Sequence, residues 1–203
     1  MRGIDTLPQT THRERQHGER VRWLFRLLYG TSLRAAEAAQ ANTGDLVHRR
    51  GKWWLHVLGK GGVAGEVPVG DELMADFARY RQFYGLPPIP SPELDAAPLV
   101  MSIAGRTDQF LTPTAIYLIV KDVFRRAAAA LETSNPAGAA TLRHASTHWL
   151  RHTSATHQAD AGNDIRHIQK NLRHASIETT AIYLHAEDDR RHTETTARRL
   201  VPE

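Results

Sequence analysis

Apolar residues in this chain fall into stretches of helical spacing separated by turn-forming residues. Val21, Leu24, Phe25 and Leu28 recur every three to four positions, which predicts a helix from about Glu19. Residues 1–18 ahead of it are polar and read as a flexible tail or linker remnant. Gly30 is the expected end of that helix. Thr31-Ser32-Leu33-Arg34 then turns into a second helix, Ala35 to about Ala41, closed by Gly44. Residues 52–58 and 64–69 read as two strands around Gly59-Lys60-Gly61-Gly62, a hairpin with a glycine-rich tip. Asp71 is the expected N-cap of a helix carrying Leu73, Met74, Phe77 and Tyr80 and ended by Gly85.

Five prolines make residues 86–98 a loop, and Leu99 to Ile103 a short strand after it. Thr112-Pro113 opens a long helix with Ile116, Ile119, Val120, Val123 and Phe124 on one side, broken at Asn135-Pro136-Ala137-Gly138. Helices over 147–161, 164–171 and roughly 177–186 complete the chain. Leu-Arg-His-Ala-Ser occurs at 142–146 and again at 172–176, but the flanking residues differ, so it is not a repeat unit. The expected fold is mainly α with a small antiparallel β-sheet (α+β). Tyr117 and Trp23, Trp53, Trp54 and Trp149 are read as packing residues.

Composition narrows the chemistry. The 203 residues suffice for one ample domain with a real core. A net charge of +4 suits a polyanionic partner without proving one. With no cysteine there is no disulfide, thiolate zinc site or cysteine nucleophile. No apolar run approaches the ~20 residues of a membrane span, and the first residues lack the apolar core of a signal peptide. A cytoplasmic protein with no membrane partner is the expectation.

The last third carries the most chemistry. His148 and Arg151 are spaced i, i+3, so on a helix they share a face; His174 and Tyr183 follow. Cutting a phosphodiester with side chains alone needs cations on the non-bridging oxygens, a proton for the leaving oxygen and a nucleophile in line. Arginine suits the first task through its planar, permanently charged fork. Upstream, Arg34 with Glu37 at i+3 reads either as part of such a site or as a surface ion pair. Lys60 reads either as a proton donor or as a solubilising turn residue. His148 and His152 form an i, i+4 pair able to bind zinc, but lack the Glu of H-E-x-x-H and any cysteine.

In order, L-Y-G-T-S-L-R-A-A-E, V-L-G-K-G-G, T-H-W-L-R-H-T-S-A-T-H and N-L-R-H-A-S-I-E-T-T-A-I-Y resemble the catalytic domain of the tyrosine recombinases, the phage-integrase family. The resemblance covers about Glu19 to Ala186, leaving residues 187–203 as a tail that in the family docks onto a neighbouring protomer. It implies a catalytic set of Arg34, Lys60, His148, Arg151, His174 and Tyr183, with Glu37 orienting Arg34. Tyr183 would attack the phosphate to form a 3′-phosphotyrosyl link, and Lys60 would protonate the 5′-hydroxyl. The implied function is site-specific DNA recombination, as by the integrase of a mobile element. Its partners would be double-stranded DNA and further protomers, four in the synapse, with neither cofactor nor metal.

The chain departs from the family pattern at Ser32 and Arg173, where the family usually has glycine. A side chain there alters a tight turn or changes the backbone angle. The family also carries a helical DNA-binding domain ahead of the catalytic one, for which this length leaves no room. DNA affinity is therefore expected to be weak and salt-sensitive. Two alternatives stand beside the integrase reading: a type IB topoisomerase-like enzyme, and a non-cleaving DNA-binding or regulatory domain of the same fold.

Overall fold

In the computed structural model, which describes residues 2–59, 62–91, 96–104 and 108–182, helices surround one three-stranded antiparallel sheet. The helices are α1 (Arg2–Asp5), α2 (His12–Thr31), α3 (Ala35–Gln40), α4 (Asp71–Phe83), α5 (Pro113–Leu131), α6 (Pro136–His144), α7 (Thr147–Asp160), α8 (Ile165–Leu172) and α9 (Glu178–Ala181). The strands are β1 (Leu46–Arg49), β2 (Lys52–Leu58) and β3 (Ala64–Val69), in that order across the sheet.

Helix α2 forms the spine and starts earlier than its apolar spacing indicates. Thr11 Oγ1 accepts from the Glu14 N–H, and the Glu14 carboxylate accepts from the Thr11 N–H at 2.8 Å. This reciprocal cap fixes the first turn at His12, so the polar first turns belong to the helix and not to a tail. Ahead of it, Ile4 and Leu7 are buried against Val21 of α2 and Val123 of α5. The expected tail over 1–18 is thus corrected for residues 4–18, because its few apolar side chains cover the α2–α5 seam.

Gly30 lies within α2, not at its end. The helix closes at Ser32, which takes the left-handed conformation at φ 53°. On the buried side of α2, Trp23 stacks on Phe77 and Tyr80 of α4, and its indole N–H donates to the Leu99 carbonyl at 2.6 Å. The Tyr80 hydroxyl in turn accepts from the Met101 N–H. Residues 99–103 are held by these bonds, by the Leu99 N–H on the Ala41 carbonyl at 2.9 Å and by a bridge from Met101 to Phe110, instead of forming the expected strand.

In the sheet, Leu55 pairs with Leu46 on one side and Val67 on the other, and all three are buried. The opposite face is charged, with Arg49 and His56 both on Glu66. Strand β1 was not expected from its sequence. Its hairpin turns at Arg50-Gly51, both at positive φ, the two-residue geometry that matches strand twist. Helix α6 is likewise additional: Asn135 accepts from the Gly138 N–H and restarts a helix where Pro136 had marked only a break. Gly70, not Asp71, caps α4, and Tyr117 is exposed on α5 instead of buried.

Truncating Ile4→Ala should therefore cost about 3 kcal/mol of stability, the range for emptying a buried aliphatic site. Chemical denaturation followed by tryptophan fluorescence measures it; an unchanged midpoint would return residues 1–18 to the status of a tail.

Candidate active site

Two chain reversals, α2–α3 and α8–α9, lie beside one another because of Arg151. Arg151 projects from α7 and is only 2 % exposed. Its Nη1 donates to the Ser32 carbonyl at 2.5 Å and its Nη2 to the Leu172 carbonyl. Both acceptors lie at helix C-termini, where carbonyls lack helical partners and carry the negative end of the dipole. A buried guanidinium needs such acceptors to offset its desolvation. Ser154, one turn further along α7, reinforces the junction: its hydroxyl donates to the Tyr29 carbonyl at 2.6 Å and lies 2.8 Å from the Ser32 hydroxyl.

Each reversal launches site residues. After Ser32, Arg34 caps α3 and Glu37 returns to it, with the carboxylate accepting from the Arg34 N–H at 2.7 Å and from Arg34 Nη1 at 2.9 Å. After Leu172, Arg173 sits at φ 53° and the His174 N–H bonds back to the Gln169 carbonyl at 3.1 Å. Thus Ser32 and Arg173 both keep the left-handed turn a glycine would make, at a cost of about 1 kcal/mol each. Neither turn is opened.

Between the reversals and the β2–β3 hairpin lies a cavity of about 1020 Å³. Arg34, Gly59, Gly65, Lys170, Arg173 and His174 are among its lining residues. Arg34 and His174, separated by most of the chain, both line this cavity. Arg151 stands behind them. His148 is exposed on α7, with Nε2 2.8 Å from Nε2 of His152. Lys60 and Tyr183 lie outside the described residues.

The electrostatics are cationic. The His174 imidazole is pushed down to about 4, first by burial and then by the charges of Arg151 and Arg34. Its Nδ1 is 3.0 Å from the Thr180 hydroxyl, a partner the sequence reading did not single out. Burial alone would raise the Glu37 carboxyl, but hydrogen bonds from Arg173 and Arg34 hold it below the usual range. The His152 ring is also lowered, by burial and by His148. Among the described residues, no group of three or more His, Asp or Glu side chains could hold a metal ion. Arrays of fixed cations around a lined cavity are suited to holding a phosphate.

Residues 3–190 match the phage integrase family. The chain belongs to that family. It is 30% identical over 183 residues to tyrosine recombinase XerC of Staphylococcus carnosus, covering 90% of this chain and 54% of the relative. With tyrosine recombinase XerA of Pyrococcus furiosus the identity is 31%, over 81% of this chain and 49% of the other. The chain spans about half the length of these curated relatives. Among solved structures, the XerH recombinase in a post-cleavage complex with palindromic difH superposes with a TM-score of 0.64 at 22% identity, over 96% of this chain and 49% of that one. The Tn1549 transposon integrase, in complex with transposon right-end DNA, gives 0.65 at 16%, over 97% and 64%. The fold is that of the tyrosine-recombinase catalytic domain, mainly helical with a small antiparallel sheet, as expected.

Two outcomes follow from this geometry in a recombinase domain. Arg151→Lys should lower stability by about 2 kcal/mol, because one ammonium cannot span two carbonyls and leaves a buried acceptor unmet. For a domain of this size that is roughly 4–8 °C in melting temperature by calorimetry. Acid should also destabilise the protein. Below its ordinary value of 6.5, His174 is protonated in the unfolded chain but stays neutral in the folded one until about 4. Stability therefore falls as pH drops through that window, with Glu37 adding a further loss below it. Urea midpoints across the window should decline less steeply in His174→Gln.

Proposed function

We propose that this domain cuts and rejoins DNA as an integrase-type, site-specific tyrosine recombinase, with side-chain cations in the role a metal plays in other phosphoryl-transfer sites. The observation that carries the reading is the meeting of Arg34 and His174 at one cavity, with the buried Arg151 charge behind them. Arg34 and Arg151 draw the scissile phosphate in. His174 donates to a non-bridging oxygen, and the anion offsets the cations that otherwise hold this ring neutral. Glu37 orients Arg34.

Tyr183 supplies the nucleophile. Its phenolic oxygen attacks phosphorus as the proton passes to His148, whose ring is hydrogen-bonded to His152. The bond from phosphorus to the 5′-oxygen breaks, and Lys60 protonates that oxygen. The product is a 3′-phosphotyrosyl link and a 5′-hydroxyl, so the bond energy is kept and a second 5′-hydroxyl reverses the step. Preorganised donors around the phosphate provide the largest share of such catalysis. The catalytic domain takes in residues 4–18 as well as 19–186, and the tail over 187–203 docks onto a neighbouring protomer in a DNA-bound tetramer. No helix among the described residues is long and apolar enough to cross a membrane, which fits a cytoplasmic enzyme acting on double-stranded DNA.

The turns at Ser32 and Arg173 keep the left-handed geometry of glycine, which favours the cleaving enzyme over a non-cleaving module. Incubation with a library of nicked suicide duplexes, then denaturing electrophoresis, tests the reading. A covalent protein–DNA band is expected from the native chain and none from Tyr183→Phe. A band that persists in the variant places the nucleophile elsewhere, and DNA binding without any band supports the non-cleaving module.

A further inference from the structure

Arg173 occupies a position where its backbone favours glycine, and its side chain explains why it is there. The aliphatic stem runs over Gly65 of β3: a Cβ built at Gly65 would lie 3.0 Å from Arg173 Cδ and 3.3 Å from Cγ. Beyond that crossing the guanidinium meets Glu37 side-on, with Nε donating to Oε1 at 3.2 Å and Nη2 to Oε2. Its Nη1 donates to the Asn171 carbonyl at 2.7 Å. The same Glu37 carboxylate takes the two bonds from Arg34. Four donors from two arginines thus converge on one buried acid.

The two arginines are not equivalent. The Arg34 side chain is 39% exposed, whereas those of Arg173 and Glu37 are 10% and 3% exposed. Arg173 is the inner partner, committed on both edges of its fork, and Arg34 is the outer one. Without Arg173, Glu37 and Arg34 would form a neutral pair whose carboxylate competes with an incoming anion for the same guanidinium. With it, the trio carries one net positive charge. The carboxylate is also held from behind, which fixes the acceptor to which Arg34 Nη1 donates.

We propose that Arg173 is a positioning residue for Arg34: through Glu37 it locks the Arg34 guanidinium in register with the cavity and restores the positive charge that Glu37 would otherwise cancel. Gly65 is the complementary feature, since its missing Cβ lets the Arg173 stem pass. The assignment rests on the recombinase reading for its chemistry, but its geometric part stands independently.

The test uses the full chain with Arg173→Gly, Arg173→Lys, Gly65→Ala and the Gly65→Ala/Arg173→Gly double variant, with urea midpoints confirming that each folds. In Arg173→Gly the backbone is relieved, so a change reports the lost side chain. Nitrogen-detected NMR of the Arg34 guanidinium should show resolved, ordered signals in the native chain and averaged ones in Arg173→Gly. At saturating nicked duplex, single-turnover adduct formation should slow about tenfold in Arg173→Gly, as for a displaced catalytic group. Arg173→Lys should recover only a small part, because it restores charge but not the fork. Gly65→Ala should slow cleavage in the native background and have no further effect beside Arg173→Gly. Unchanged Arg34 signals in Arg173→Gly, or a Gly65→Ala effect equal in both backgrounds, would overturn the proposal. If the native chain forms no adduct with any duplex, the recombinase reading fails, and the Arg34 signals still decide the positioning role.

Discussion

One buried guanidinium sets the distance between the two halves of the site. Arg151 binds the Ser32 and Leu172 carbonyls, the buried negative ends of α2 and α8. Arg34 follows two residues after Ser32 and Arg173 directly after Leu172, and those arginines meet at Glu37. A hydrophobic contact at this place would bring the helices together but would not fix their rotation. A planar fork with two acceptors fixes both. The arrangement also solves a desolvation problem in two directions, because helix-terminal carbonyls need donors and a buried cation needs acceptors.

That constraint shapes the electrostatics. Arg34 and Arg173 share the acid Glu37 and Arg151 adds its charge beside His174, so the site retains excess positive charge. His174 responds by staying neutral. A neutral imidazole still has one N–H to donate, while the cost of a further cation beside Arg151 and Arg34 is avoided. Strain is handled in the same economical way. Ser32 and Arg173 hold left-handed backbone at residues with a Cβ, and each has a side-chain contact to compensate: Ser32 with Ser154 and Arg173 with Glu37.

Periodicity made the central elements legible: α2 from Val21 onward, α5 with its Thr112 cap, and the β2–β3 hairpin all follow apolar spacing. What escaped was set by short-range polar geometry. The start of α2 lies in Thr11-His12-Arg13-Glu14, a capping-box pattern hidden in a run of charges. Strand β1 depends on Arg50-Gly51 and has too few apolar residues to register as a strand. Residues 99–103 look like a strand by composition, yet their backbone groups are met by Trp23 and Tyr80 side chains, which no local pattern reveals. The family resemblance singled out Arg34 and His174, and both line one cavity. It could not supply the role of Arg173, because the resemblance expects no side chain there.

The departure at Arg173 shows how a substitution at a glycine position can be absorbed by exchanging one constraint for another. A left-handed backbone at a non-glycine residue persists only where its surroundings over-determine it. Here three independent features do so: the Arg151 bond to the preceding carbonyl, the open face of Gly65 and the buried carboxylate of Glu37. They come from α7, β3 and α3, which have little contact with one another in sequence. A glycine at 173 would need only the first of the three. The arginine therefore ties the hairpin and the first arginine turn to the His174 turn more tightly than a glycine could, and does so through its charge on the Glu37 carboxylate.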